Sequence, residues 1–469
     1  MNVTYVVIIA AYMVVSLVIA FVIGKKKTNN VTDYSVGGRS FGGMVLFFTM
    51  LATIVGASSV MGRSAWIYKE GFTQVWYIVG IAISYFIYIF FMAPKIHDFG
   101  VEHNGETIGD WVGFRYNKPV KYISSVLIVV AYIAITAFQY IAMATILNFV
   151  TGIHYNVCLL ITAAIVITYT SLGGLWAVAS TDVMQGFMTL AGVVVMVPMF
   201  LSKAGGISAV FANAPAAHLE LFGYQTPLQS IASVLVFALG IISWPDVWQR
   251  CYAAKDKKIL KKSFIRFVIA YLIISAAVFL IGFAATSLIP GYDGSNNNLL
   301  PFMIMQYMPD VLGAVLLSAL MAVIMGTADS TLLISSVMLE KDIIKPLFVK
   351  KELSEKQNLR MSKIVTAVCG IAVLGVLFFS TDMFDLWIMS ADITGATLAV
   401  PILFGFAIKK GSSAAALASI IFGFAGWLAS YMGLVPVDAI LLGAGLSLIA
   451  YVVVMLAAGK KGTAAARAK

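Results

Sequence analysis

The amino-acid sequence predicts an all-α protein that crosses the membrane many times. Of its 469 residues, 61% are hydrophobic and 11% are charged, whereas soluble globular domains carry about 25% charged residues. The hydrophobic residues form runs of about twenty, the length of a membrane-spanning helix and too long for the strands of a membrane barrel. Because the bilayer core offers the backbone no hydrogen-bond partners, a spanning segment of this length is expected to be helical.

The apolar runs divide the chain into about thirteen predicted spans. They cover residues 3–23, 43–66, 73–93, 120–149, 156–172, 175–202, 228–248, 263–287, 309–338, 362–380, 383–407, 412–430 and 436–458. The lysines at 25–27 follow the first run instead of preceding it, so this run is not expected to be a cleavable signal peptide. No stretch between the spans reads as a soluble domain, and we predict a single transmembrane domain over 1–469.

The distribution of positive charge predicts the orientation in the plasma membrane. With Met1 outside, all of the 31 Lys and Arg residues except Arg63, Lys69 and Lys203 fall on the inner side. Such an excess is typical of cytoplasmic loops, and it predicts an N-terminus outside and a C-terminus in the cytoplasm. The net charge of +10 is then explained by the Lys and Arg residues of the cytoplasmic loops, and no nucleic-acid partner is expected.

Two of the predicted spans are interrupted by residues that disfavour a continuous helix. The first contains LATIVGASSVMG within 43–66, and the second, 228–248, ends in ALGIISWPDVWQR, whose last two residues lie just beyond it. Matching interruptions in two halves of a chain are typical of transporters built from inverted repeats. Gly and Pro are also commoner in membrane helices than in soluble ones, which explains either break alone equally well.

The two interrupted spans open two stretches of five predicted spans each, 43–202 and 228–407. Because five is odd, the second stretch starts on the opposite side of the membrane, so that equivalent helices run antiparallel. We therefore predict a 5+5 inverted repeat, with an extra N-terminal helix at 3–23 and two C-terminal helices within 412–458.

Four carboxylates lie within or beside apolar spans, at Asp182, Asp246, Asp329 and Asp392. A charge at the bilayer centre costs about 2.5–3.5 kcal/mol even on the mildest scale, and such residues usually mark a path for ions or solutes. The alternative is a structural acid that pairs with a backbone amide or a helix cap. Asp182, close to the predicted inner end of its span, could also extend to the surface.

The span 309–338 combines its carboxylate with small and hydroxyl-bearing residues. At helical spacing, Thr327 and Ser330 share one line, and Gly326 and Asp329 share the adjacent one. Hydroxyl, carboxylate and carbonyl oxygens suit a hard cation. The alternative is helix packing through small residues. We found no enzyme motif: the four histidines are scattered, and no phosphate loop or nucleophile elbow is present.

Five segments give the chain a resemblance to the sodium:solute symporters of the solute-carrier-five type. They are VGGRSFGG at 36–43, YTSLGGLWAVASTDVMQG at 169–186, WQRCYAAKDKK at 248–258, GTADSTLLISS at 326–336 and LWIMSAD at 386–392. The third and fourth resemble the choline-transporter-like branch most closely. The resemblance covers nearly the whole chain and implies a leucine-transporter-like core.

The resemblance also implies where Na⁺ binds, between the first and eighth core helices. The matching positions are the backbone carbonyls of Ala52, Val55 and Val323 and the side chains of Gly326 and Thr327. Members of the family typically place two hydroxyls there, whereas this chain keeps Thr327 and has Gly326 at the other position. An additional ion site of some relatives matches Asp182, Asp329 and Ser330.

For the solute, the resemblance implies a site in and beside the interrupted helices. The matching positions are Ile54, Ser58, Trp76, Gln139, Trp244 and Asp392. Ile54 replaces a tryptophan expected for the aromatic cage of a choline site, so a small polar or zwitterionic metabolite is expected instead. Trp387 is the predicted gate, with an interfacial tryptophan as the alternative.

We therefore expect a secondary active transporter that moves a small organic solute into the cell with Na⁺ by alternating access. Two alternatives stay open at this point. The same scaffold could use H⁺ as the coupling ion, or the protein could be a transporter-derived sensor or channel. The expected partners are the solute and the lipid bilayer, and the expected assembly is a monomer or a loose homo-oligomer.

Overall fold

A computed structural model describes residues 3–377, 383–408 and 411–467, without the side chains of residues 296, 383–386 and 458–467. The described chain is helical apart from its connecting loops and one isolated bridge between Phe41 and Ala254. The predicted all-α class is therefore confirmed. The end of the predicted span 362–380 and the inner-side residues Lys409 and Lys410 lie outside the described residues.

Twenty α-helices follow one another in the part of the chain that the structure describes. They are α1 Val3–Lys27, α2 Val31–Val36, α3 Gly43–Ile54, α4 Arg63–Glu70, α5 Val75–Ile87, α6 Ala93–His103, α7 Ile108–Arg115, α8 Lys118–Thr151, α9 Tyr155–Lys203, α10 Ile207–Asn213, α11 Pro227–Gly240, α12 Pro245–Ala253, α13 Lys257–Leu288, α14 Leu299–Tyr307, α15 Asp310–Met338, α16 Lys345–Phe348, α17 Glu355–Val376, α18 Met383–Ala407, α19 Ser413–Tyr431 and α20 Ala439–Arg467.

The first predicted interruption is present between α3 and α4. Val55 has an extended backbone with φ −87° and ψ 91°, and the chain resumes as a π-helical turn, Ser58–Gly62, before α4 begins. A Cβ atom added to Gly56 would lie 2.6 Å from Thr327 Oγ1 and 2.9 Å from Gln139 Nε2. The break therefore needs a glycine, because two neighbouring helices approach its backbone closely.

The second predicted interruption lies between α11 and α12. Trp244 is extended, with φ −76° and ψ 114°, and the two halves are bent by 42°. Pro245 occupies the first position of α12, where its missing N–H removes no helical hydrogen bond and its fixed φ favours the start of a helix. Pro245 thus explains both why the helical chain breaks after α11 and why α12 begins here.

The predicted number of spans is not confirmed. In the described residues, ten helices are long and apolar enough to cross a membrane, or eleven when the bent pair α11–α12 is included. The predicted spans 156–172 and 175–202 fall within one helical segment, α9, and the backbone of Gly174 (φ 57°, ψ −154°) is not helical, so a kink divides α9 at the predicted boundary. The short helix α3 does not reach the length of a span by itself, and the helical segment from Ser58 to His103 is divided at Gly71, which ends α4 with φ 56° and ψ −133°.

Helix α15 lies at the centre of the molecule. Its residues from Leu316 to Met338 are all buried, and it packs against α1, α3, α8 and α9. Small residues permit some of these close approaches, since a Cβ atom added to Gly192 of α9 would lie 2.7 Å from the Cβ of Ala319. The predicted ion-binding residues of α15 are consequently enclosed by other helices and do not face lipid.

Candidate functional site

The predicted sodium position lies where the end of α3 meets the middle of α15. The Thr327 hydroxyl donates a hydrogen bond of 3.2 Å to the carbonyl oxygen of Ala52. Val55 ends α3, and the last carbonyls of a helix have no partner within that helix. Val323 lies about one turn before Thr327 and is also buried. The structure thus brings together two of the implied positions, the Thr327 hydroxyl and the Ala52 carbonyl oxygen.

Gly326 also lies against Ala52, and the close packing there explains why this position has no side chain. An added Cβ atom would lie 2.8 Å from the Cβ of Ala52, 3.0 Å from its carbonyl oxygen and 3.0 Å from Gln185 Oε1. A hydroxyl-bearing residue therefore cannot enter without displacing its neighbours. The oxygen of Gln185 lies beside the position where the second hydroxyl of other family members is expected.

Gln185 was not among the predicted site residues. It is fully buried, and its amide nitrogen donates to the Tyr12 hydroxyl over 3.1 Å. Its Oε1 accepts no hydrogen bond from the part of the chain that the structure describes. Its spacing three residues after Asp182 was the available signal, because residues i and i+3 share a helix face.

Asp182 is paired with an arginine that the sequence had placed on the inner side of the membrane. Arg250 of α12 is 1% exposed, and its Nη2 lies 3.8 Å from Asp182 Oδ2. The Thr49 hydroxyl donates to the same carboxylate oxygen over 2.5 Å. Asp182 is thus neither exposed to lipid nor extended to the surface, because α12 brings a compensating charge to it.

Three hydroxyls from two helices surround the Arg250 guanidinium. Its Nη2 donates to Thr49 over 3.1 Å, to Ser330 over 2.7 Å, and to Thr53. Thr53 and Ser330 are themselves 2.8 Å apart. Ser330 was a predicted ion ligand, and here its oxygen is bound by the guanidinium. Arg250, Thr49 and Thr53 were all missed, since no local pattern indicates that α3, α12 and α15 meet here.

Asp329 faces a different neighbour from Ser330. Its Oδ2 accepts a hydrogen bond of 2.6 Å from the Tyr169 hydroxyl, and the residue is fully buried. Its Oδ1 has no hydrogen-bond donor among the described residues. These two adjacent residues of α15 therefore contact different helices: Asp329 contacts α9, and Ser330 contacts α3 and α12.

A small cavity of about 20 Å³ lies between the two interrupted helices. Its volume has room for about one water molecule, so the centre of the protein is closed around it. Six of the predicted residues line it, counting the sodium ligand and the gate: Ile54, Ser58, Gln139, Trp244, Thr327 and Trp387. Thr53, Tyr132, Asp246 and Thr331 complete its polar wall. Asp246, recognised as a membrane acid but not assigned to the site, thus belongs to this cavity.

Two N–H donors at this cavity lack acceptors. The Gln139 amide accepts a hydrogen bond from the Ala57 backbone over 3.3 Å. Within the described chain, however, neither its Nε2 nor the indole nitrogen of Trp244 donates to any atom, and both residues are buried. Buried polar groups are normally hydrogen-bonded. The cavity therefore presents donors that a polar molecule with acceptor oxygens would satisfy.

Trp387 covers one side of the cavity as part of an aromatic group. Its ring centroid lies 4.4 Å from that of Phe237, which in turn lies 6.2 Å from that of Trp244. Trp387 is 5% exposed. This position is compatible with the predicted gate and differs from that of a tryptophan in the lipid interface.

The structure does not bring Trp76 and Asp392 to the central cavity. The Trp76 indole donates to the Leu221 carbonyl over 2.9 Å, because it lies on the face of α5 that meets the loop after α10. Asp392 lines a separate cavity of about 190 Å³ together with Asp438. It follows Trp387 by five residues, which turns it by about 140° around α18 and away from the gate.

Comparisons with known proteins agree with this architecture. Residues 34–423 match the family described as the Sodium:solute symporter family. The chain is 26% identical to the sodium/pantothenate symporter of Escherichia coli (strain K12), with 95% of each chain covered. It is 29% identical to the sodium/proline symporter of Staphylococcus aureus (strain JH9), covering 79% of this chain and 75% of that one.

Two solved structures have a similar fold. A Na⁺-coupled sialic acid symporter in its substrate-bound outward-open state matches with a TM-score of 0.83 at 21% identity, covering 96% of this chain and 97% of that one. Mhp1, a nucleobase-cation-symport-1 family transporter in a closed conformation with bromovinylhydantoin bound, matches with a TM-score of 0.59 at 15% identity, covering 91% and 95%. These similarities confirm the leucine-transporter-like fold.

The family match extends over most of the chain, whereas the predicted nearness to the choline-transporter-like branch is not confirmed. The relatives are transporters rather than enzymes, and the family name gives Na⁺ as the coupling ion. The chain belongs to the sodium:solute symporter family.

Proposed function

We propose that the protein carries a small polar or zwitterionic organic solute into the cell together with Na⁺. The observation that carries this proposal is the contact of Thr327 with the end of α3, directly beside a cavity whose donors have no acceptors. A cation bound at this contact would hold α3 against α15. The cavity that the solute needs would then be shaped by the ion, which couples the two binding events.

The ligands proposed for Na⁺ are oxygen atoms at the ends and faces of helices. They are the carbonyls of Ala52, Val55 and Val323, the Thr327 hydroxyl and Gln185 Oε1. Hard cations prefer such oxygen ligands, and the amide oxygen of Gln185 would replace the hydroxyl that Gly326 lacks. Because all of these ligands are neutral, the ion would keep its full charge at the site.

Asp182, Asp329 and Ser330 are proposed as a second cation-binding group. Each carboxylate keeps one oxygen without a hydrogen-bond donor among the described residues. Arg250 supplies the positive charge next to Asp182 in this conformation. A second cation would enter beside Asp329, or would replace Arg250 when α12 moves.

The solute is proposed to bind at Ser58, Gln139 and Trp244, with Ile54 as an apolar wall. The free N–H groups of Gln139 and Trp244 suit acceptor oxygens, and Asp246 suits a positively charged amine. The relatives named for pantothenate, proline and sialic acid transport carry solutes of comparable polarity. Trp76 and Asp392 are left out of the proposed site because both lie elsewhere in this conformation.

Transport would follow the usual mechanism of inverted-repeat transporters, in which two bundles rock around a fixed central site. The proposed orientation has the N-terminus outside and the C-terminus in the cytoplasm, as the positive-inside distribution indicates. One charge moving through 100 mV supplies about 2.3 kcal/mol. This supports roughly fifty-fold accumulation, at about 1.4 kcal/mol for each factor of ten. A monomer or a loose homo-oligomer suffices for this mechanism.

Uptake into proteoliposomes tests the proposal. We expect an inward Na⁺ gradient to drive accumulation of a labelled solute such as pantothenate or L-proline. Thr327→Ala should raise the Na⁺ concentration needed for half-maximal uptake at least tenfold. Thr327→Ser, which keeps the hydroxyl, should leave that concentration nearly unchanged. Uptake driven by a pH gradient in Na⁺-free buffer would favour H⁺ coupling instead, and ion flux without solute would favour a channel.

A further inference from the structure

Arg63, at the start of α4, is a buried cation without a counter-ion in the described part of the protein. Its side chain is 1% exposed, and none of its three guanidinium nitrogens has a hydrogen-bond partner there. No described carboxylate lies within 4.0 Å of it, although six other ion pairs are present among the described residues. An arginine stays charged in proteins, so this arrangement is costly unless an anion binds at some stage.

The Arg63 guanidinium lies against the ring of the predicted gate, Trp387. Its central carbon lies 5.7 Å from the ring centroid of Trp387. Such a cation–π contact replaces part of the lost hydration but offers no hydrogen-bond acceptor to the five N–H groups. The same tryptophan lines the central cavity. A displacement of the Trp387 ring would therefore bring Arg63 and the solute site into one space.

The planar guanidinium is matched to one class of ligand. Its fork of N–H donors binds carboxylates with two parallel hydrogen bonds, and a buried setting strengthens such charge-assisted contacts. We propose that Arg63 is the receptor for a carboxylate group of the transported solute, exposed to it when Trp387 moves. The inference rests on the proposed function, and it narrows the solute to organic acids and amino acids.

The neighbourhood of Arg63 supports a role in binding and not in folding. Lys69, on the same helix, makes a similar cation–π contact with Trp66 at 5.7 Å, but its side chain is exposed to solvent. Arg250, the other fully buried arginine in the described chain, has four hydrogen-bond acceptors and a carboxylate beside it. Arg63 differs from both in being buried and without acceptors.

Ligand-induced stabilisation of the purified protein tests the proposal. The probes are acetate, L-proline and pantothenate, each compared with an analogue that lacks only the carboxylate: acetamide, L-prolinamide and the alcohol corresponding to pantothenate. The melting temperature is measured at constant Na⁺ concentration and ionic strength. We expect at least one acid, and not its analogue, to stabilise the wild-type protein.

Substitutions assign this preference to Arg63. Arg63→Gln should weaken binding of the acid at least tenfold, Arg63→Lys should retain part of it, and Lys69→Gln should leave it unchanged. Without any acid, Arg63→Gln should melt at the wild-type temperature or above, because an unpaired buried charge has been removed. A marked loss of stability in that variant would instead indicate a permanent internal partner and would overturn the proposal.

Three further outcomes would also overturn it. One is equal binding of the acid to Arg63→Gln and the wild type, and another is chloride stabilising the protein as strongly as the acids, which would indicate a site for a free anion. The third is that no acid in the panel binds. Stabilisation by Na⁺ alone is recorded in the same experiment, so failure of the carboxylate site can be separated from failure of the proposed sodium symport.

Discussion

The charge pair between Asp182 and Arg250 should be one of the strongest couplings in the protein. Both side chains are buried, with exposures of 0% and 1%, and their charged atoms are 3.8 Å apart. At an effective dielectric constant of about 20, two unit charges at this separation attract by about 4 kcal/mol. Solvent screening removes little of this energy because neither group reaches the surface.

Each single substitution should therefore lower the free energy of unfolding markedly. The double substitution should lower it by less than the sum of the two single losses. Asp182→Asn leaves the guanidinium without its carboxylate, and Arg250→Gln leaves the carboxylate without its cation. Each should lower the free energy of unfolding by about 3–5 kcal/mol. In the double variant the two costs should overlap, with a coupling energy of about 2–4 kcal/mol.

Unfolding in mixed micelles, followed by tryptophan fluorescence, measures these energies. Asp310→Asn and Arg360→Gln are matched controls, because both side chains are exposed and should change stability by no more than about 0.5 kcal/mol. Simple addition of the costs of the two buried substitutions would refute the pairing of Asp182 with Arg250. Uptake assays on the same variants then report whether the pair is also needed for transport.

Three other substitutions test neighbouring parts of the site. Gln185→Leu should weaken Na⁺ binding about tenfold, the effect of losing about 1.4 kcal/mol, as measured by the Na⁺ dependence of the melting temperature. Gly56→Ala should lower stability by about 1–3 kcal/mol through overpacking and reduce uptake. Gly42→Ala, where an added Cβ atom meets nothing within 4 Å, should be nearly neutral in both assays. Tyr169→Phe should lower the free energy of unfolding by about 1–3 kcal/mol, because the Asp329 carboxylate loses its donor; unchanged thermal stability would contradict that contact.

Much of the architecture could be predicted from local features of the sequence. The helical class follows from apolar runs of about twenty residues, because a backbone in lipid has to satisfy its own hydrogen bonds. Both interruptions follow from chemistry at single positions: Pro245 has no N–H to donate, and Gly56 permits a close approach that a side chain would block. The break between the predicted spans 156–172 and 175–202 also follows from a single position, since Gly174 has a non-helical backbone that divides α9 by a kink.

The partners of the buried polar residues were decided by tertiary structure. From the sequence, Arg250 belonged with the positive charges of the inner side, yet α12 carries it to hydroxyls on α3 and α15. Asp392 was predicted as a solute-site residue, but it lines a separate cavity, about 140° around α18 from the gate residue Trp387. In each case the residue type was informative, while its neighbour came from a distant part of the chain.

The sequence by itself therefore determined that this chain is a helical membrane protein with two broken helices, buried acids and the motifs of its family. Each of these depends on residue type and spacing within one segment. Only the tertiary structure decided that Thr327 meets Ala52, that Asp182 is paired with Arg250 and that Gln185 lies beside Gly326. The physical reason is that packing between helices far apart in sequence sets which of their faces meet, and local periodicity does not specify that choice.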